Sequence, residues 1–195
     1  MWHDDGFMMA TWFQGPAKDF IRVSREGFER GVSILHFLGG TSIDLADEAP
    51  PSGAADRSHD RRAIAQTKMT ISQRAEVHGT TCDVVCTGRF YDFLEKREAA
   101  PDDPHGGWGI VLRQPIYEKD RLDPLDPGAT LTLDAELLEG LPVGYRHLAY
   151  VQTKIGFEVK RDMPGLTGPA VDRLYRRGAD WLAGGELGDP LKTVD

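Results

Sequence analysis

From Ala63 to Ala75 the chain alternates between two rows of side chains. Ala63, Ala65, Thr67, Met69 and Ile71 form one row, and Ile64, Gln66, Lys68, Thr70, Ser72 and Arg74 form the other. Successive strand residues point to opposite faces, so a mostly apolar row beside a mostly polar one predicts an antiparallel strand covered on one side. Thr81 to Lys96, rich in Val, Cys, Phe and Tyr, reads as a second long strand. A Pro/Asp/Gly loop, Ala99 to Gly107, then returns the chain into a third, Trp108 to Lys119, and closes a hairpin.

Ahead of this meander, residues 6 to 13 are aromatic and β-rich and predict a first strand ending at Gly15-Pro16. Pro16 suits the first turn of a helix, and Phe20, Ile21, Val23, Phe28 and Val32 follow at near-helical spacing. Ser33 to Leu45 reads as a strand with Ile34, His36 and Leu38 on one side and Leu35 and Phe37 on the other. Gly39-Gly40 within it predicts a bulge. Residues 46 to 61 are polar and turn-rich and read as an exposed loop.

Arg121 to Thr130, with Pro124 and Pro127, reads as a connector. Helical spacing follows at Leu133 to Leu141, Tyr145 to Ile155 and Pro169 to Leu182, the last stopped by Gly184-Gly185. The pattern divides the chain into a unit at 1–120 and a connector with a helical extension at 121–195. Strands in succession around one early helix, with no βαβ alternation and no glycine-rich phosphate loop, make the class α+β: a curved antiparallel sheet packed on helices.

Composition narrows the function. The 195 residues are 40% hydrophobic and 28% charged, enough for a core, and 23 basic against 31 acidic side chains give a formal charge of −8. That balance excludes a basic face for nucleic acid or an anionic membrane surface. No apolar run approaches the roughly 18 residues a spanning helix needs, and the start of the chain does not read as a secretory signal. Cys82 and Cys86, four apart on one strand, lie too far apart to bridge and read as reduced core residues of a cytoplasmic protein. His3, Asp4 and Asp5 converge poorly as metal ligands, and the remaining histidines form no cluster, so neither metal nor cofactor is expected.

Four stretches together resemble the SnoaL-like branch of the nuclear transport factor 2-like superfamily, which has a cone-shaped α+β fold. They are Trp2-His3-Asp4-Asp5-Gly6; Gly15-Pro16 through Ile21; Leu35-His36-Phe37-Leu38-Gly39-Gly40-Thr41-Ser42-Ile43; and Thr87-Gly88-Arg89-Phe90-Tyr91-Asp92-Phe93 followed by Trp108-Gly109-Ile110-Val111-Leu112-Arg113. They cover residues 2 to about 119. The leading helices usual in that family, which carry a tyrosine and aspartates facing the pocket, have no matching segment. The C-terminal helices are expected to take over the covering role, unless such helices precede Met1.

The resemblance implies that His36 occupies the strand position of a pocket histidine acting as general base. Imidazole suits that work, since its ordinary pKa near 6.5 lets it take a proton at neutral pH. Read without the resemblance, His36 fits better as a buried histidine held by one backbone hydrogen bond; with it, the two readings stand even. Alternation puts Arg89 and Tyr91 on one face and Asp92 on the other. Arg89 and Tyr91 read either as a pocket pair that polarises a carbonyl, or with Asp92 as a charged lattice stitching strands together. Arg113 shares that ambiguity. Trp12, Phe37 and Trp108 serve as core or line an apolar cavity.

The expected function is a cofactor-independent dehydratase, isomerase or cyclase acting on a small hydrophobic carbonyl compound. The alternative is a non-catalytic binding or dimerisation module of the same fold. A homodimer through the sheet face is the expected assembly. The enzyme reading requires His36 to face a cavity beside a carboxylate, with Asp44, Glu76, Asp92 and Asp134 as candidates.

Overall fold

A computed structural model describes residues 1–46, 61–99 and 101–191 of the chain. In chain order its elements are β1 (Trp2–Met9), β2 (Gln14–Pro16), α1 (Ala17–Glu29), β3 (Ser33–Leu45), β4 (Arg62–Val77), β5 (Thr80–Lys96), β6 (Trp108–Pro124), α2 (Ala135–Glu139), a 3-10 turn at Val143–Tyr145, α3 (Arg146–Lys154) and α4 (Pro169–Leu182). The six strands make one sheet in the order β2-β1-β6-β5-β4-β3. Every neighbouring pair is antiparallel except β1 and β6, which run parallel. The α+β class expected from the sequence is the one observed.

The alternating segment is the centre of this sheet. β4 and β5 pair without interruption from Arg62↔Glu95 to Val77↔Thr80. Two residues connect them, His78 at φ 51° and Gly79 at φ 77°. Positive φ at both central positions is the two-residue hairpin turn whose twist matches that of the flanking strands. β5 and β6 continue the meander, with register shifts at Thr87/Gly88 and Phe93/Leu94 that add twist to strands of 17 residues.

β3 carries the bulge its glycines predict. Leu38 pairs with Met69 and Thr41 with Thr67, so Gly39 and Gly40 together face Lys68. The extra residue reverses the alternation beyond it. Ile34, His36, Leu38, Thr41, Ile43 and Leu45 therefore share one face, and Leu35 and Phe37 lie on the other.

Two expectations shift. The first strand runs Trp2–Met9 rather than 6 to 13, because residues 10 to 13 turn: the Ala10 N–H donates to the Phe13 carbonyl at 2.7 Å, and Gln14 Nε2 donates to the Ala10 carbonyl at 2.6 Å. Gln14–Pro16 then folds back on β1 as a short strand. The last strand continues beyond Lys119 to Pro124, its end paired with Cys82 and Asp83. The polar stretch at 46–61 lies, for residues 47–60, outside the described residues.

The helices divide between the two faces. α3 lies with α1 on the face that carries His36, whereas α4 lies on the opposite face against Tyr91 and Phe93. Sheet and tail share one core: Phe93, Ile116, Tyr145, Leu148, Val171 and Trp181 belong to the same buried cluster. Trp181 Nε1 also donates to the Leu94 carbonyl at 3.2 Å. Both cysteines are free and buried. No described helix is long and apolar enough to cross a membrane.

The β4–β5 turn has a direct test. A Cβ at Gly79 would sit in the left-handed region, which costs an L-residue about 1–2 kcal/mol. Gly79→Ala should lower the melting temperature by about 2–8 °C, read by circular dichroism; an unchanged melt would contradict the turn.

Candidate functional site

The face of the sheet that carries His36 opens into a cavity of about 770 Å³ between the strands, α1 and α3. Its floor comes from β3, β4, β5 and β6 through Ile34, His36, Ile71, Gln73, Phe90, Pro115 and Tyr117. Its walls come from the turn after β1 (Thr11, Trp12, Phe13), from α1 (Phe20, Val23, Phe28) and from the tail (Leu148, Gln152, Phe157). Trp12 gathers the aromatic wall, with ring centroids 5.5 Å from Phe20 and 5.1 Å from Phe157. The helical stripe read from residues 20 to 28 is therefore a cavity wall.

His36 lies at the open side of this space, exposed to solvent and stacked on Phe90 with ring centroids 6.2 Å apart. The surrounding protein and then the Arg113 charge hold its imidazole below the ordinary histidine pKa, so it is neutral at neutral pH. The expected carboxylate partner is not supplied by Asp92. Both Asp92 oxygens are taken by Arg113, at 2.7 Å from Nε and 2.6 Å from Nη2. Burial raises the Asp92 carboxyl above the usual value against the opposing pull of Arg113. The guanidinium also stacks on the Phe90 ring, 4.2 Å from its centroid. His36, Phe90, Arg113 and Asp92 thus form a continuous row on one face. Asp134 is elsewhere, accepting from the Leu137 N–H as the cap of α2.

The other sequence candidates lie apart from the cavity. Alternation puts Arg89 and Tyr91 on the opposite face of β5, and there Arg89 Nε bonds Glu118 at 3.1 Å. Tyr91 is 4% exposed beneath α4, beside Phe93 and Tyr175, with its phenol raised by burial. Phe37 points outward and is 68% exposed. Trp108 starts β6 opposite Lys96 and is not part of the cavity wall. Of the candidates read from the sequence, the structure brings His36 and Trp12 to the cavity, with Arg113 and Asp92 behind Phe90. Among the described residues no cluster of three or more His, Cys, Asp or Glu side chains is arranged to hold a metal ion. His3 Nε2 is bonded to the Glu95 carbonyl at 2.9 Å.

Sequence reading passed over Gln73, Tyr117 and the buried pair Thr11 and Gln152. Thr11 and Gln152 come from opposite ends of the chain, and Thr11 Oγ1 donates to Gln152 Oε1 at 2.6 Å. Burial pushes the Tyr117 phenol well up, so it stays protonated. Gln73 did carry a signal: it is a polar residue on the mostly apolar row of β4. A second cavity of about 420 Å³ lies beside α4, walled in part by Arg173, Arg176 and Glu186 and by none of the sequence candidates.

A packing role for Tyr91 is testable through Gly178 of α4. A Cβ there would collide with the Tyr91 hydroxyl. Gly178→Ala should therefore lower stability by at least about 1 kcal/mol, although alanine favours a helix by about 1 kcal/mol over glycine. Adding Tyr91→Phe should recover part of that loss in urea melts; no recovery would remove the contact as the cause.

No family model matches the chain. It is 34% identical to a PEP2-like protein of Fusarium vanettenii along 96% of this chain and 76% of that protein. Pea pathogenicity protein 2 of the same organism is 32% identical over the same shares. Among solved structures, a crystal structure named "Putative Scytalone Dehydratase" from Novosphingobium aromaticivorans has a TM-score of 0.42 at 14% identity, covering 66% of this chain and 77% of that one. At 34% and 32% identity along nearly its whole length and about three quarters of theirs, the chain belongs to the PEP2-like protein family.

Proposed function

We propose that the protein is a cofactor-independent enzyme of the dehydratase, isomerase or cyclase class, acting on a small hydrophobic carbonyl compound with His36 as general base. The observation that carries this reading is a neutral imidazole at the open side of an aromatic-lined cavity of about 770 Å³. His36 takes a proton from the carbon next to the carbonyl, and the electron pair moves onto the carbonyl oxygen as an enolate. Tyr117, protonated and on the cavity floor, donates a hydrogen bond to that oxygen. Return of the proton elsewhere gives isomerisation, and loss of a β-hydroxyl as water gives dehydration. The topology and the four sequence stretches support placing the fold in the nuclear transport factor 2-like superfamily, in its SnoaL-like branch.

The test is deuterium uptake at the α-carbon of 2-tetralone in D2O, followed by NMR. Wild type should accelerate exchange, and His36→Ala and His36→Gln should each lose at least about 100-fold. The base acts when neutral, so the rate should rise with pH and level off. Its midpoint should lie below 6.5, because the imidazole pKa is depressed. Exchange that is indifferent to residue 36, or that falls with rising pH, would refute the reading.

The outer face favours a homodimer as the assembly. Leu35 and Phe37 stand 64% and 68% exposed there, and large apolar side chains exposed together mark association surfaces. Sedimentation should give twice the chain mass for wild type and the chain mass for Phe37→Asp; a monomeric wild type would refute it.

A further inference from the structure

Gln73 lies at an unusual position in β4. It is 3% exposed, and its side-chain oxygen Oε1 is buried without a hydrogen-bond partner among the described residues. It lines the large cavity, and its cross-strand partner there is Ile34. His36 pairs with Ile71, two residues before Gln73, so His36 and Gln73 are diagonal neighbours on one face, about 7–8 Å apart. The other buried glutamine of the cavity, Gln152, has its Oε1 satisfied by Thr11 at 2.6 Å. A buried carbonyl oxygen left without a donor is destabilising, and folded proteins retain few of them.

We infer that Gln73 is a ligand-binding residue whose side-chain carbonyl accepts a hydrogen bond from a hydroxyl on an otherwise apolar, ring-bearing ligand. The inference rests on the cavity being the binding site of the proposed function, but not on catalysis by His36. An amide oxygen can only accept, so the ligand must bring a donor, and on an otherwise apolar ring a hydroxyl supplies it. Trp12, Phe20, Phe90 and Phe157 around the same space suit a flat ring. A ligand of about one or two rings then reaches His36 with one edge while its hydroxyl meets Gln73. Because an ether in place of the hydroxyl would leave Oε1 desolvated and unpaired, the site discriminates against O-alkylated analogues.

The experiment compares 2-naphthol with 2-methoxynaphthalene by calorimetry on the whole chain. Wild type should bind the naphthol about tenfold more tightly. In Gln73→Leu and Gln73→Met that preference should fall to within about threefold, through loss of naphthol binding. Both variants should melt at or about 2–4 °C above wild type, because they remove an unpartnered polar atom. An unchanged preference in the variants, failure of either probe to bind wild type, or a melting loss beyond about 4 °C in both variants would overturn the inference. The two readings separate cleanly. His36→Ala should keep the naphthol preference, so a preference that depends on Gln73 without any turnover refutes only the enzyme. Turnover that depends on His36 with equal binding of both probes refutes only the role of Gln73.

Discussion

The uninterrupted register between β4 and β5 is the constraint on which the rest depends. Sixteen consecutive residue pairs, closed by a two-residue turn, decide which side of the sheet every flanking side chain occupies. Slipping β4 by a single residue would send Ile71 and Gln73 to the other face. The bulge in β3 serves the same register. Gly39-Gly40 absorb one residue, and the apolar residues on both sides of them stay on the face of the cavity.

This dependence explains what could be read from the chain and what could not. Period-two alternation is a local signal, and it located β3, β4 and β5 within a few residues. It also separated Arg89 and Tyr91 from Asp92. Alternation alone does not say which face is concave, because that is set by where distant helices pack. Arg89 and Tyr91 therefore stay open between a pocket pair and a lattice between strands, and the structure puts them on the face covered in part by α4. The parallel contact of β1 with β6 and the Thr11–Gln152 bond span more than a hundred residues and leave no local mark. Gln73 was legible as a break in an apolar row. Its meaning required knowing that no donor among the described residues reaches it.

Charge on the cavity face is arranged to keep His36 neutral. A carboxylate beside an imidazole would raise its pKa and favour the cation, but Asp92, a buried carboxylate on this face, is bound at both oxygens by Arg113. What reaches His36 is the guanidinium side of that pair, across the Phe90 ring. Positive charge and desolvation act in the same direction. In the proposed role, such a base would be weaker than one oriented by a carboxylate, yet available at neutral pH. The orientation that a carboxylate would have supplied falls instead to the stack on Phe90.

The walls differ in how firmly they are held, and this bears on how the cavity works. The sheet floor is locked by the ladder, and the tail wall is tied to the early turn where the Lys160 N–H donates to the Thr11 carbonyl at 2.7 Å. Tyr145 reinforces this tie, its hydroxyl donating to the Lys160 carbonyl at 2.8 Å and accepting from the Met163 N–H at 3.2 Å. α1 has much less. Its one fully buried residue is Ala17, and Phe28 is 55% exposed although it helps to line the cavity. A helix in marginal contact gains most when something apolar fills the space beneath it, since burying a phenylalanine side chain fully stabilises by about 1.5–3 kcal/mol. A ligand filling the cavity as proposed would therefore also favour the docking of α1 through the same aromatic surface.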